Sequence, residues 1–215
     1  MAYPTVSGPY GFLTEQNLAG RVFNQATIDV PIDSGYAYNI GYGDLVSIDV
    51  NGKIIRVDNI NGSKSAFATP PIGVFLGCSY TDPVLGYFLE GQSWPAGLLT
   101  ADGIAKICND PDVVLKAALV DNTGAVITNS GATLANIGQN IGYYQNLGSP
   151  VGALINSITR NSVSALDQST IANTPTLPFR IYAPVTQTAL TDGTFCELFV
   201  MYNWGLHFYR QGTGI

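Results

Sequence analysis

Charge is scarce in this chain. Nine Lys or Arg and fifteen Asp or Glu among 215 residues make it 11% charged, against about 25% in an ordinary soluble domain. A freely diffusing cytosolic protein is kept apart from its neighbours largely by charge. A polar surface made of Asn, Thr, Ser, Gln and Tyr suits packing against other chains, or an extracellular setting. An ordinary β protein with a neutral surface is the plainer alternative. The formal charge of −6 comes with no basic patch or stripe, which argues against direct nucleic-acid binding. No apolar run reaches transmembrane length, so no membrane span is expected. The opening "MAYPTVSGPYGF" has no basic region followed by an apolar run, so no Sec signal is expected.

Catalytic equipment is equally thin. The single histidine, His207 in "NWGLHFYRQ", sits among aromatics and reads as structural or interfacial. Cys78, Cys108 and Cys196 are odd in number and widely spaced, unlike a disulfide framework or a zinc set. Each lies beside apolar residues and reads as a buried free thiol. There is no G-x-S-x-G elbow and no glycine-rich phosphate loop, and no cofactor is implied. Asp110 and Asp112 look like a calcium fragment, but the twelve-residue loop with its closing glutamate is missing, so they read as a turn. Carboxylates remain. Asp82, Glu90 and Glu197 lie in β-rich, aromatic-rich stretches, as the acid pair of a glycosidase would. Aromatics are also common in cores and interfaces, so a carbohydrate-active or carbohydrate-binding protein is the second class of function.

What is abundant is apolar residue content, at 46%, with 24 glycines and 12 tyrosines. That is enough core for one large β domain or two small ones. The fold class expected is mainly β: a small β-barrel or sandwich body with an extended N-terminal arm and long Asn/Gly-rich loops. Residues 1–30 read as the arm, with Tyr3, Tyr10, Phe12, Leu18 and Phe23 as scattered anchors for the same domain or a neighbour. Residues 31–122 read as a β-barrel-like region. Residues 123–215 read as a loop-rich β region completing the same domain or a second one, with a single helical turn begun by Thr133 in "TLANIG".

Within the barrel-like region, "YGDLVSIDVNGKIIRVDN" predicts a two-residue type I′ hairpin at Asn51-Gly52. Val50 would face Lys53, Ile48 would face Ile55 and Val46 would face Val57, with Arg56 on the wet side. Turns are expected at Asp82-Pro83 and Trp94-Pro95, and "GIAKICNDPDVVLKAAL" reads as a second hairpin around Asp110-Pro111. Near the C-terminus "LPFRIYAPV" and "TFCELFVMYNWGLHFY" read as strands, joined by a turn at Thr191-Asp192-Gly193. The second is apolar on both faces, as a central or covered strand is.

The strings "YPTVSGPYGF…NLAGRVF", "GYAYNIGYGDLVSI", "PIGVFLGCSYTDPVLGYFLEGQSWPAG" and "NDPDVVLKAAL" resemble virion structural proteins of tailed phages infecting cyanobacteria and other marine bacteria. Those proteins accompany HK97-type capsids as head decoration, or cement, proteins. The resemblance covers most of the chain and is weaker over residues 123–174. It implies that residues 41–46 and 73–77 begin strands of a small barrel. It also implies that residues 80–83 and 94–97 are turns, and that residues 110–112 are a hairpin tip. No catalytic residue is implied. The expected partners are the major capsid protein of HK97-type fold and further copies of the chain, trimers being the commonest arrangement in such proteins. The expected location is the outer surface of the virion head. A tail, baseplate or fibre-like subunit is the alternative within the virion.

Overall fold

The computed structural model describes residues 9–18, 27–60, 62–127, 134–145, 159–185 and 196–212. Among these there are strands and two short 3-10 turns, Leu134–Asn136 and Phe208–Arg210, and no α-helix. The protein is mainly β with a barrel body.

Two sheets divide the chain. The first is an antiparallel sheet with no continuous closing ladder, its two end strands meeting only at an isolated parallel bridge between Ile32 and Ile54. It runs β2 (Thr27–Pro31), β10 (Ile104–Cys108), β7 (Gly73–Thr81), β4 (Leu45–Ile48), β5 (Ile54–Arg56), with β8 (Phe88–Gly91) also paired to β7. The second closes on itself. Its ring runs β11 (Val113–Val120), β13 (Ala165–Ala172), β12 (Asn140–Gln145), β14 (Phe179–Pro184) and β15 (Glu197–Tyr202), and β15 pairs back to β11. All ring pairs are antiparallel except β11 with β13. The continuous closed ring is built from β11, within the 31–122 region, and from four strands of the 123–215 region. The 31–122 region also forms most of the first sheet, open in having no closing ladder. The Asn/Gly-rich middle is not simply loop, because it supplies β12 and β13.

The parallel seam explains the N-terminal segment. β13 meets β11 only at Leu119 and Val120, which leaves the same edge of β11 free from Val113 to Lys116. β1 (Leu13–Asn17) lies antiparallel along that stretch. Likewise β6 (Gly62–Lys64) covers the part of β12 that β14 does not reach. Two expected arm anchors are thus internal. Phe12 is fully buried and stacks on Phe179 with ring centroids 5.0 Å apart. Tyr10 is buried and its hydroxyl donates to the Glu197 carboxylate. They dock on the chain's own barrel because the bare edge of β11 is there to receive them. Leu18 remains 39% exposed. Tyr3, Phe23, Thr133 and the turn at residues 191–193 lie outside the described residues.

Adjacent strand residues point to opposite faces, and the open sheet uses both. Leu45, Val57, Val74 and Cys108 join the barrel's Leu115, Tyr143 and Phe179 in one core. Val46, Ile54, Phe75 and Ile107 face the other way. They are covered there by Ile40 and Trp94 of a small ribbon, β3 (Ile40–Gly41) with β9 (Ser93–Trp94).

Two local expectations change. The β4–β5 pairs are Val46–Arg56, Ser47–Ile55 and Ile48–Ile54, one residue out from the expected register. The Asp49 N–H donates to the Lys53 carbonyl at 2.9 Å, and the Gly52 N–H donates to the Asp49 carbonyl at 3.0 Å. That is a three-residue loop with Gly52 at φ +76°, a common alternative to the two-residue turn. The Asp49 carboxylate selects it by accepting from the N–H groups of Asn51 and Lys53 at 2.9 and 2.8 Å. A one-residue slip exchanges the faces. Arg56 is therefore buried, and Val50 stands 85% exposed at the tip.

The second correction concerns β10 and β11, which do not form a hairpin. β10 pairs with β2 and β7, while β11 pairs with β1, β13 and β15. Asp110-Pro111 still turns the chain, with the Asp112 N–H donating to the Asp110 carboxylate at 2.8 Å. The turn hands the chain from the open sheet to the barrel. Asn17 bonds Asp110 at 2.7 Å and Arg210 bonds Asp112 at 2.6 Å, so both ends of the described chain converge on it.

Candidate functional site

Of the three candidate carboxylates, two lie on one hairpin and the third is in the barrel. Asp82 is consumed by its own loop. Its carboxylate accepts from the N–H groups of Val84 and Leu85 at 2.8 and 2.9 Å, and its carbonyl accepts from Gly86 at 2.8 Å. Glu90, on β8, is exposed and pairs with Lys106 at 3.2 Å. Glu197 is buried in the barrel beneath Tyr10, whose hydroxyl is pushed well above its ordinary value by burial and by that carboxylate. Asp82 and Glu90 flank one exposed hairpin of the first sheet, and Glu197 lies in the ring.

The nucleophile candidates are sealed. All three cysteines are free and buried. Burial raises the Cys78 thiol to about 12 and the Cys108 thiol to about 11, which keeps both protonated and inert at neutral pH. His207 is fully buried against Tyr202, with ring centroids 4.8 Å apart, and its Nδ1 accepts the Tyr209 N–H at 3.3 Å. Burial lowers its imidazole to about 4, so it is a neutral packing and capping residue. Among the described residues no three His, Cys, Asp or Glu side chains are grouped to hold a metal.

A buried polar cluster stitches the two bodies together. The Asp44 carboxylate accepts from the Gly41 N–H at 2.7 Å and from the Ser162 hydroxyl at 2.6 Å. Arg56 Nε lies 3.6 Å from it, with both side chains almost completely buried. Ser164 is 3.2 Å from Gln145 Oε1, at the end of β12. Asp44 and Arg56 belong to the open sheet, and Ser162, Ser164 and Gln145 to the barrel side. The cluster is closed to solvent, so its role is to join the halves. Sequence reasoning put Arg56 in water because the hairpin register was one residue out.

An open cleft of about 670 Å³ lies where β1 and β2 approach, lined by Thr14, Glu15, Thr27, Asp29, Tyr42 and Lys106 over Leu76. Glu15 is already paired with Lys116 at 2.8 Å. The lining offers hydroxyl donors, carboxylate acceptors and an apolar floor.

The least expected surface is the β7–β8 hairpin. Every residue from 83 to 90 is exposed, including Val84, Leu85, Tyr87, Phe88 and Leu89. Val84 is 89% exposed and Phe88 65%. The turn forms where Asp82-Pro83 predicts it. The chain also turns after Trp94-Pro95, where the Leu98 N–H donates to the Pro95 carbonyl at 3.4 Å, and Trp94 itself is fully buried against Tyr80 at 5.5 Å. The hairpin's base is fastened by Asp102, which accepts from the N–H and hydroxyl of Thr81 and the hydroxyl of Thr100. Those bonds hold its carboxyl down at about 2. "VLGYFL" is apolar at both parities, which reads as a buried strand. The hairpin instead projects beyond the sheet, so both of its faces meet solvent. A contiguous apolar patch of this kind marks an interaction surface. No protein-family model, curated protein or solved structure matches the chain.

Proposed function

We propose that the chain is a capsid decoration protein. It binds the outer surface of an expanded phage head built from an HK97-type major capsid protein, and it stabilises the contacts between capsomers. The observation that carries this reading is the uncovered apolar hairpin of residues 83–90 on an all-β body that is only 11% charged. A surface of that composition is suited to being covered by protein, as each copy in a crowded shell is. The sequence strings that resemble head decoration proteins support the same partner. Of the arm anchors described, Leu18 is the one left available to a neighbour.

The mechanism is binding alone. A protein that binds the expanded shell and not the immature one stabilises the former by mass action. Repeated attachment multiplies a modest affinity at each site. The test is DNA release against temperature for decorated and bare heads, with occupancy measured on expanded heads and on proheads. Decorated heads are expected to hold DNA to higher temperature, and proheads to bind the protein poorly. Identical release curves at full occupancy would refute the cement role. A few copies at one vertex would move the protein to the tail, baseplate or a fibre.

The cleft favours one second reading, a carbohydrate-binding protein, because its hydroxyl, carboxylate and ammonium groups over Leu76 suit a polyol. A glycan array with no signal that Tyr42→Ala removes would dismiss it.

A further inference from the structure

We propose that two copies of the chain pair edge to edge through β8, about a twofold axis at Leu89. The inference deepens the decoration reading by naming a partner for the apolar hairpin, yet the contact belongs to the chain alone and is measurable without a head.

The edge itself is self-complementary. The Asp82 N–H donates to the Tyr87 carbonyl at 2.9 Å, and the following pairs are Thr81–Phe88, Tyr80–Leu89 and Ser79–Glu90. Hydrogen-bonded and non-bonded pairs alternate along an antiparallel ladder. Leu89 therefore bonds inward to β7, and Phe88 and Glu90 turn their N–H and C=O groups outward. Among the described residues β8 pairs with β7 and with no other strand. Two free residues at i and i+2 match their own twofold copy. Phe88 of one copy falls opposite Glu90 of the other, giving four backbone hydrogen bonds, and Leu89 meets Leu89 across the axis. In that register Tyr87 lies over Gly91 of the second copy, where no side chain competes for space.

Area sets the strength. The five apolar side chains of the hairpin expose on the order of 500 Å² per copy, at the upper end of what a monomer normally leaves uncovered. Pairing through residues 87–91 would bury mainly the Tyr87, Phe88 and Leu89 share of it, less than about 1,000 Å² in total, the range of a weak, transient contact rather than an obligate dimer. An exposed apolar edge strand is ordinarily guarded by Lys, Pro or an inward charge. Here the one charge on β8, Glu90, is already paired with Lys106 at the rim. The bonds from Asp102 to Thr81 hold the hairpin base in place, so little ordering is lost on pairing. The acidic flanks, Asp82 and Glu90, and the net charge of −6 disfavour an anionic lipid surface as the occupant.

The test uses the full chain. Sedimentation velocity across concentrations is expected to show a monomer–dimer equilibrium, with association weakened at least tenfold by Phe88→Lys. Circular dichroism melting is expected to be unchanged by that exposed substitution. Phe88→Pro removes the outward N–H together with the ring, and is expected to weaken the dimer while Val84, Leu85, Tyr87 and Leu89 keep most of the apolar bulk of the tip. Leu89→Cys supplies an exposed thiol in a protein whose own three are buried. At the axis, Cα atoms about 4.5 Å apart fall within disulfide reach, so mild oxidation is expected to give a covalent dimer. Val84→Cys, roughly 20 Å or more from its copy in this register, is expected to give no covalent dimer. A wild-type chain that stays monomeric at about 100 µM, or equal cross-linking by both cysteines, overturns the proposal. So does flotation of a monomeric protein with phosphatidylcholine vesicles that Phe88→Lys abolishes. Heads that are still decorated by a monomeric chain would leave the decoration reading standing without this contact. A dimer that binds no head would do the reverse.

Discussion

In the barrel, β15 returns to β11, and the stretches of β11 and β12 that the ring does not use are taken by β1 and β6. In the open sheet, β7 carries β8 outward, and residues 83–90 stand in solvent on both faces. Closure removes edges, and an open sheet leaves them available. The two halves thereby divide the work. One holds the fold together, and the other presents surface. The Asp44–Arg56–Ser162 cluster and the shared core fasten the presenting half to the holding half.

The comparison can be broken from the barrel side first. Phe179 is fully buried, with Phe12, Phe67 and Tyr202 rings at 5.0, 5.5 and 5.6 Å. Phe179→Ala is expected to cost about 4 kcal/mol, read as a lowered denaturation midpoint for the whole chain. A loss seen only in the barrel's signals would mean the halves unfold independently.

Next comes the junction. Asp44→Ala strands the Arg56 guanidinium, whose Nε and Nη1 make no hydrogen bond among the described residues. Leaving a buried charge unpaired costs about 3–5 kcal/mol. Asp44→Ala with Arg56→Met is expected to recover much of that in a double-mutant cycle. No recovery would mean that Asp44 acts through Gly41 and Ser162 instead.

Acid probes the same junction from the C-terminal side, where the Phe208 N–H donates to the Pro71 carbonyl at 2.9 Å. His207 is depressed from 6.5 to about 4 in the folded protein, so the unfolded chain takes up its proton first. Stability from this residue is full above about pH 6.5 and falls as pH drops toward 4, by roughly 3 kcal/mol in all. His207→Phe is expected to flatten the stability profile in that window. An unchanged slope would assign the acid sensitivity to carboxylates.

The smallest expected effect is at the β4–β5 loop. Asp49→Ala removes the acceptor for the N–H groups of Asn51 and Lys53, at a cost of about 1 kcal/mol. Asp49→Asn, which keeps an acceptor oxygen, is expected to restore most of it. Equal loss in both would mean that the carboxylate's charge matters more than its hydrogen bonds.

Local chemistry was legible in the sequence, and long-range pairing was not. Strands β2, β7, β14 and β15 lie where apolar β-branched and aromatic runs place them, and Asp82-Pro83 and Asp110-Pro111 turn the chain. Closure was hidden because it rests on β11 meeting β15 and on β12, whose six residues are all buried and show no alternation. Gly142 in β12 looks like a loop residue. A Cβ there would sit 2.3 Å from the Lys64 carbonyl oxygen, so it is the close approach of β6 that requires glycine. The anchors Tyr10 and Phe12 were visible as anchors, but a bare stretch of a strand a hundred residues away decides where they dock. The exposure of residues 84–89 could not be read from the sequence, because burial and projection give the same apolar run.

The ring also sets an order of events during synthesis. β1 leaves the ribosome early, but its partner edge on β11 follows about a hundred residues later. That edge belongs to a ring whose last pairing, β15 with β11, waits for residues 197–202. The open sheet, contained within residues 27–108, can assemble first and must keep its barrel-facing side, Leu45, Val57, Val74 and Cys108, uncovered in the meantime. A chain stalled before residue 197 would show apolar surface on both halves at once. Quality control would meet this protein as a sticky half-structure for most of its translation, and slow folding is the expectation for contacts so distant in sequence.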